Sequence, residues 1–302
     1  MNSLVINNNN IEGKNLGGGV VLFENAINFD ADEVFDLCEE IVTRERNAMY
    51  KPGVDPETGE EIYINRSGYF FGKNSIDIMP GRGSAAHQDP RENVVNFLTE
   101  LEDLRDKYLF KYLEFYPLAF KCIWWKVKGH IVAYKKGAYL GSHSDISTDY
   151  IYGVWTPNDQ LAMRSTVTAL IYFNDCVDSE DKLNGKNFMG GHHYFNYLDI
   201  THVPKKGDIL FFPASYTAGH EVKVVEAGMR YSYLGWYSQG TPNIDVKESV
   251  TDPNIDPVAA QTSTNVYMPN FVEDYRKHLL SRGYNEFSEQ YKITKSSYNV
   301  WH

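Results

Sequence analysis

Three residues in the middle of the chain have the types and order to hold a metal ion. His143 and Asp145 sit two apart in AYLGSHSD, so on an extended strand both side chains point the same way. His220 comes later, in AGHEV. Two imidazoles and one carboxylate on one side of a metal leave its other positions open, a donor set that suits non-haem Fe(II). A hydrolytic Zn(II) site could use the same three donors. Arg230 separates these readings. Arg230, Ser232, Leu234 and Trp236 alternate along the segment after His220 and so share one face. A guanidinium beside a hydroxyl can grip a carboxylate, the guanidinium bidentately. A hydrolytic zinc centre leaves that grip unexplained.

Such residues need a rigid frame, and the second half of the chain reads as one. Short β-like segments fall near 122–134, 139–143, 165–174, 193–200, 208–212, 219–225 and 229–238, with Gly and Pro turns between them. Many short strands of this kind predict an antiparallel sandwich or barrel. Two amphipathic helices come first and are expected on the outside of a sheet. Asp30 caps the first, with Glu33 three residues later. Val34, Leu37, Cys38, Ile41 and Val42 mark its buried face, and it should run to about Arg46. Asp89 and Pro90 read as N-cap and first residue of the second. Val94, Phe97, Leu98, Leu101, Leu104, Tyr108 and Leu109 mark its buried face. A last helix is expected between Asn270 as cap and Gly283 as stop.

The remaining stretches carry less signal. Residues 1–18, with four consecutive Asn and then GKNLGGG, predict a disordered tail. Residues 50–90 are loop-rich, and long loops in compact domains are often lids or binding loops. Residues 241–302 form a C-terminal extension that could cover a site or mediate a dimer; the oligomeric state is not legible.

Composition narrows the partners. The formal charge is −11, so no basic surface for nucleic acid or an anionic membrane is expected. No segment approaches ~20 apolar residues, so neither a signal peptide nor a membrane span is expected. Cys38, Cys122 and Cys176 lie far apart without CxxC spacing, which points to reduced thiols and a cytoplasmic setting.

Residues 122–240 resemble the core of the Fe(II)/2-oxoglutarate-dependent oxygenases, in particular their prolyl 4-hydroxylase-like branch. The resemblance is carried by Tyr134-x-x-Gly137 ahead of His143-Ser-Asp145, then STVTALIYFND, GGHHYF, PKKGDILFFP, Gly219-His220 and Arg230-Tyr-Ser232. It implies a mainly β fold with flanking helices around a double-stranded β-helix, or jelly-roll, core. It also implies one oxygenase domain over residues 19–240, with 122–240 as the catalytic core.

By position, the resemblance implies that His143, Asp145 and His220 hold Fe(II). Arg230 would bind the C5 carboxylate of 2-oxoglutarate with Tyr134, and Ser232 would add a donor. Thr168, Leu170 and Tyr172 resemble the inward residues of the cosubstrate-pocket strand. O2 is the second cosubstrate, and ascorbate is the reductant expected in an assay. Succinate and CO2 leave as a C–H bond is oxidised. In related halogenases a small residue replaces the carboxylate ligand so that chloride reaches iron; Asp145 implies that this chain does not halogenate.

Two departures bear on the substrate. His192 and His193 replace the family's acidic-then-Thr pair after the double Gly, and residues 146–164 form a long insert. The two histidines read first as strand residues, one out and one in. Arg164, His193, Tyr150 and Trp155 are the candidate substrate contacts. His130 reads as a packed or partly exposed strand residue, and His87, His202 and His278 as solvated ones. The long loops favour a closed pocket and hence a small amino-acid-like metabolite, either hydroxylated or closed into a ring as in kainoid-type cyclisation, a secondary-metabolic role. A peptidyl-prolyl 4-hydroxylase is the second reading, and a non-catalytic metal-dependent jelly-roll binding protein the third.

Overall fold

The computed structural model of the protein describes residues 5–7, 11–54, 59, 61–65, 70–71, 92–123, 125–146, 165–239 and 265–295. Four short strands come first: β1 (Val5–Asn7), β2 (Lys14–Gly17), β3 (Val20–Phe23) and β4 (Ile27–Phe29). β1 pairs with β4, and β2 with β3. The stretch 1–18, expected to be disordered, therefore contributes two strands. Its glycine run is a turn rather than a flexible tether: Gly17, Gly18 and Gly19 all have positive φ, which glycine adopts without a Cβ penalty. Val5 is buried, and its N–H donates to Glu100 at 3.2 Å.

α1 spans Ala31–Met49. The Asp30 carboxylate accepts the N–H groups of Asp32 and Glu33, each at 2.9 Å, and so satisfies two otherwise orphaned donors at the expected cap. β5 (Tyr50–Val54), β6 (Glu61–Asn65) and β7 (Phe70–Phe71) form a small sheet inside the region read as loop. α2 (Glu92–Phe115) buries every residue of its expected apolar face.

The β-rich half follows. It comprises β8 (Trp125–Lys135), β9 (Leu140–His143), β10 (Ser165–Tyr172), β11 (Cys176–Val177), β12 (Phe188–Gly190), β13 (His193–Phe195), β14 (Ile200–His202), β15 (Ile209–Pro213), β16 (His220–Val222) and β17 (Val225–Ser238). The expected single strand over 193–200 is a hairpin instead, because the chain turns back through Asn196–Asp199, with Asp199 at φ 51°. β18 (Asn265–Tyr267) adds to the free side of β8. α3 (Phe271–Ser281) and the short α4 (Glu289–Lys292) end the described chain.

Two sheets result. The larger runs β11-β12-β17-β10-β15-β3-β2, with β8 on β17; the smaller runs β14-β13-β16-β9. Alternation gives the larger sheet two unlike faces. Ile131, Ala133, Val167, Ala169, Ile171, Phe211, Tyr231, Tyr233 and Tyr237 point outward, into one core with α1, α2 and α3. Leu170, Tyr172, Leu210 and Phe212 point the other way and meet Phe195 of the smaller sheet, while Val132 and Tyr134 meet Val222. This is a jelly roll with helices on one face, as expected.

The C-terminal extension packs on the helical side. Phe271 and Tyr275 lie against Phe120, with ring centroids 5.0 and 5.3 Å apart. His278, expected in solvent, bonds Glu114 at 2.7 Å, and Arg282 reaches the same carboxylate at 3.2 Å. Among the described residues no helix is long and apolar enough to cross a membrane.

Candidate functional site

Strand register brings the predicted ligands together. His143 ends β9, His220 begins β16, and the two are direct cross-strand partners. Their ring centroids lie 4.4 Å apart. The Nε2 atoms stand 3.5 and 3.7 Å from the same oxygen of Asp145, Oδ1. One ligand atom from each of the three residues falls within 4.8 Å of the other two.

The chain also fixes how these groups face. Nδ1 of His143 lies 2.8 Å from the Gly141 carbonyl oxygen, and Nδ1 of His220 lies 3.1 Å from that of Ala218. A carbonyl only accepts, so each Nδ1 carries a proton, and each ring is turned with Nε2 facing Asp145. Thr168 donates its hydroxyl to Asp145 Oδ2, leaving Oδ1 to the histidines. Outer hydrogen bonds of this kind orient metal ligands. Burial works against the Asp145 charge, but the His143 bond, the His220 ring and the Thr168 bond together hold the carboxyl below its ordinary range.

A second cluster lies along the same inner wall. Arg230 and Tyr134 are cross-strand partners, as are Ser232 and Tyr172. The Arg230 guanidinium sits 4.8 Å from the Tyr134 ring and 5.3 Å from that of Tyr172. Burial pushes the Tyr134 hydroxyl up to about 12, against the pull of Arg230, and raises that of Tyr172 as well. Leu170 is apolar wall between the clusters, packed with Leu210 and Phe195.

This second cluster is polar, buried and unfinished. Arg230 Nε and Nη2, Ser232 Oγ, Tyr172 Oη and both ring nitrogens of His193 have no hydrogen-bond partner. Arg230 is 1% exposed, and among the described residues no carboxylate pairs with it. A buried unpaired cation is costly, and native chains leave few buried polar atoms unsatisfied. The cluster therefore fits an anion supplied from outside the chain, and the triad fits a divalent metal beside it.

Some expectations change. Thr168, expected on the cosubstrate strand, donates its hydroxyl to Asp145. His202, expected in solvent, is buried; its ring lies 5.0 Å from that of Tyr172 and its Nε2 3.4 Å from Asp208. His193 is the inward member of its pair and is wholly buried, whereas His192 is half-exposed. His130 packs against Trp236 as expected, at 5.5 Å. Trp236 adds a buried, unpartnered indole N–H opposite Thr168, a candidate that its phase with Arg230 already signalled. Tyr150, Trp155, Arg164 and His87 lie outside the described residues.

Residues 129–238 match the family model described as the 2OG-Fe(II) oxygenase superfamily. A search of curated proteins found no match to the chain. Solved structures with similar folds include a Trichoplax adhaerens prolyl hydroxylase in complex with a hypoxia inducible factor oxygen degradation domain peptide. It is 16% identical, covering 74% of this chain and 84% of that one, with a TM-score of 0.43. A Pseudomonas putida prolyl-4-hydroxylase is 19% identical, covering 73% and 92%, with a TM-score of 0.39. A collagen prolyl hydroxylase of Paramecium bursaria Chlorella virus-1, in complex with 2OG, is 16% identical, covering 70% and 90%, with a TM-score of 0.36.

Proposed function

We propose that this 2-oxoglutarate-dependent dioxygenase, with its oxygenase domain at residues 129–238, oxidises a C–H bond of a small amino-acid-like metabolite. His143, Asp145 and His220 would hold Fe(II), and Arg230 would hold the C5 carboxylate of 2-oxoglutarate. The observation that carries this assignment is the pairing of a ready three-ligand cluster with a buried guanidinium that has no anion of its own. Iron, 2-oxoglutarate and O2 supply the oxidising chemistry, with release of succinate and CO2.

The chain's residues bind, orient and shield. Gly141, Ala218 and Thr168 keep the three ligands aimed at one point. Tyr134 and Tyr172 pack about the Arg230 guanidinium, and Ser232 and Tyr172 offer hydroxyls beside it. Leu170, Phe195 and Phe212 keep water from the wall between the metal and anion ends.

A second reading, a peptidyl-prolyl 4-hydroxylase, has one observation in its favour. Tyr197 is 76% exposed, and its ring lies against Gly219, next to His220. An exposed aromatic ring beside the ligand cluster would suit a longer chain lying across the mouth.

The test is succinate formation from 2-oxoglutarate with Fe(II) and ascorbate, against free amino acids, N-alkylated amino acids and Pro-containing peptides. Succinate rising with one small molecule is expected; a rise with peptides alone would replace the first reading by the second. Asp145→Ala should abolish the turnover, a loss of at least about a thousandfold. Full activity in that variant would end the ligand assignment.

A further inference from the structure

The proposed function gives no role to His193, although its ring nitrogens are among the unpartnered atoms of the anion end. Its ring is 1% exposed, and neither ring nitrogen has a hydrogen-bond partner. A neutral imidazole always carries one N–H, so one buried donor goes unpaired whichever tautomer forms. On the backbone, His193 pairs with His202 on one side and Val222 on the other.

The position explains what the donor could meet. The ring stacks on His220, with centroids 4.7 Å apart and planes within 18°. Phe195 and Phe212 close two further sides, at 4.9 and 5.3 Å. Two residues earlier the backbone passes the other end of the site: a Cβ added at Gly191 would lie 3.1 Å from Cδ of Arg230. One short segment therefore touches the metal end through His193 and the cation end through Gly191. A ligand reaching from one end to the other must cross it.

We infer that His193 donates a hydrogen bond to a carboxylate oxygen of the bound 2-oxoglutarate, so that the dicarboxylate is held by an imidazole as well as by Arg230. The inference rests on the cosubstrate reading of Arg230. A ring present only to fill space would give the same burial and stacking but would lose nothing when both nitrogens become carbon.

Equilibrium binding separates the two. Calorimetry would measure 2-oxoglutarate binding to the full chain loaded with Mn(II), which binds without turnover, for wild type, His193→Phe and His193→Gln. The Phe variant keeps an aromatic ring and removes the donor; the Gln variant keeps a donor. The expected result is binding weakened about tenfold or more in His193→Phe and within about threefold of wild type in His193→Gln, with Mn(II) affinity unchanged in both. Equal 2-oxoglutarate affinity in wild type and His193→Phe would overturn the inference. So would a loss confined to Mn(II) affinity, which would make His193 a support for His220 alone. Wild type that binds Mn(II) but no 2-oxoglutarate would sink the cosubstrate reading itself. Should His193→Phe fail to fold, ¹⁵N-histidine spectra of Zn(II)-loaded wild type give the same answer. One buried ring N–H, absent from the Gln variant, should shift when 2-oxoglutarate is added; an unmoved signal would overturn the inference.

Discussion

Two arginines are buried on opposite faces of the same sheet, and their surroundings could hardly differ more. Arg105, on α2, is 0% exposed and donates to Glu102 at 2.7 Å. The same carboxylate accepts from Gly129 N–H at 2.8 Å and Tyr233 hydroxyl at 2.7 Å, and Lys126 lies 3.6 Å away. Asp106 takes the Tyr237 hydroxyl at 2.8 Å, and the Arg105 guanidinium lies over that ring. Gly235 leaves the room for it: an added Cβ there would overlap the guanidinium. Arg230, on the inner face of the same β17, has two aromatic rings and no carboxylate. A charge that the chain neutralises itself is structural. One that it leaves open fits the ligand role proposed for Arg230, because burying it unpaired costs stability with no return in the folded state alone.

The largest effect should come from breaking the closed cluster. Glu102→Ala leaves Arg105 buried without its anion and takes an acceptor from Gly129 and Tyr233. A loss of about 3–5 kcal/mol in unfolding free energy is expected by denaturant titration. Burial opposes the Glu102 charge, but Arg105, then Lys126 and the hydrogen bonds, hold its pKa below the ordinary 4.5. The stability tied to that shift is therefore complete above 4.5 and is lost as the pH falls through the lower folded value. Molecules of the variant that remain folded should bind 2-oxoglutarate as wild type does.

Arg230→Ala should do the reverse. The affinity of Mn(II)-loaded protein for 2-oxoglutarate should fall about a hundredfold, or ~2.7 kcal/mol, while stability without ligand stays within about 1 kcal/mol of wild type. Added 2-oxoglutarate should raise the melting temperature of wild type and leave the variant's unmoved. If Arg230→Ala unfolded as readily as Glu102→Ala, Arg230 would be a second structural arginine and the contrast would be lost.

Much of the inner face was legible in the sequence because strand alternation is short-range. Phase alone puts Arg230 beside Ser232 once the strands are known, whereas Asp145, expected on the strand with His143, lies in the turn just past it. The α2 face and the Asp30 cap were legible for the same reason. What stayed hidden depends on contacts far apart in sequence. Nothing near Thr168 says that its hydroxyl meets Asp145 rather than a cosubstrate, since β9 and β10 are joined through the long 146–164 insert. The Glu102 cluster draws on α2, β8 and β17, and an acidic residue on a helix reads as solvated until its neighbours are known. The stretch 1–18 read as a disordered tail because its glycine turn is defined only by the pairing of β2 with β3. His202 and His278 were misread for one cause: each is buried by a partner from a distant element, Tyr172 and Asp208 for the first, Glu114 for the second.

The smallest expected effect tests whether Arg230 truly lacks an internal counter-ion. Asp208 is 2% exposed, and burial raises its carboxyl from 3.8 to about 6. Its neighbour His202 is pushed down to about 3, by burial first and then by Arg230, so that ring is neutral when Asp208 ionises. Between pH 3.8 and 6 the folded chain keeps a proton that the unfolded chain has released. Stability therefore falls as the pH rises through that window, and above about 6 the cost is complete. Asp208→Asn removes the ionisation and can still accept the Asn25 N–H, which Asp208 binds at 2.9 Å. It should match wild type at pH 4 and exceed it by on the order of 1–2 kcal/mol at pH 7.5 in denaturant titrations. Its 2-oxoglutarate affinity should be unchanged, since Tyr172 and His202 stand between Asp208 and the anion end. Were Asp208 the hidden partner of Arg230, the variant would instead lose stability at neutral pH and bind 2-oxoglutarate more tightly, because the ligand would no longer have to displace an internal carboxylate.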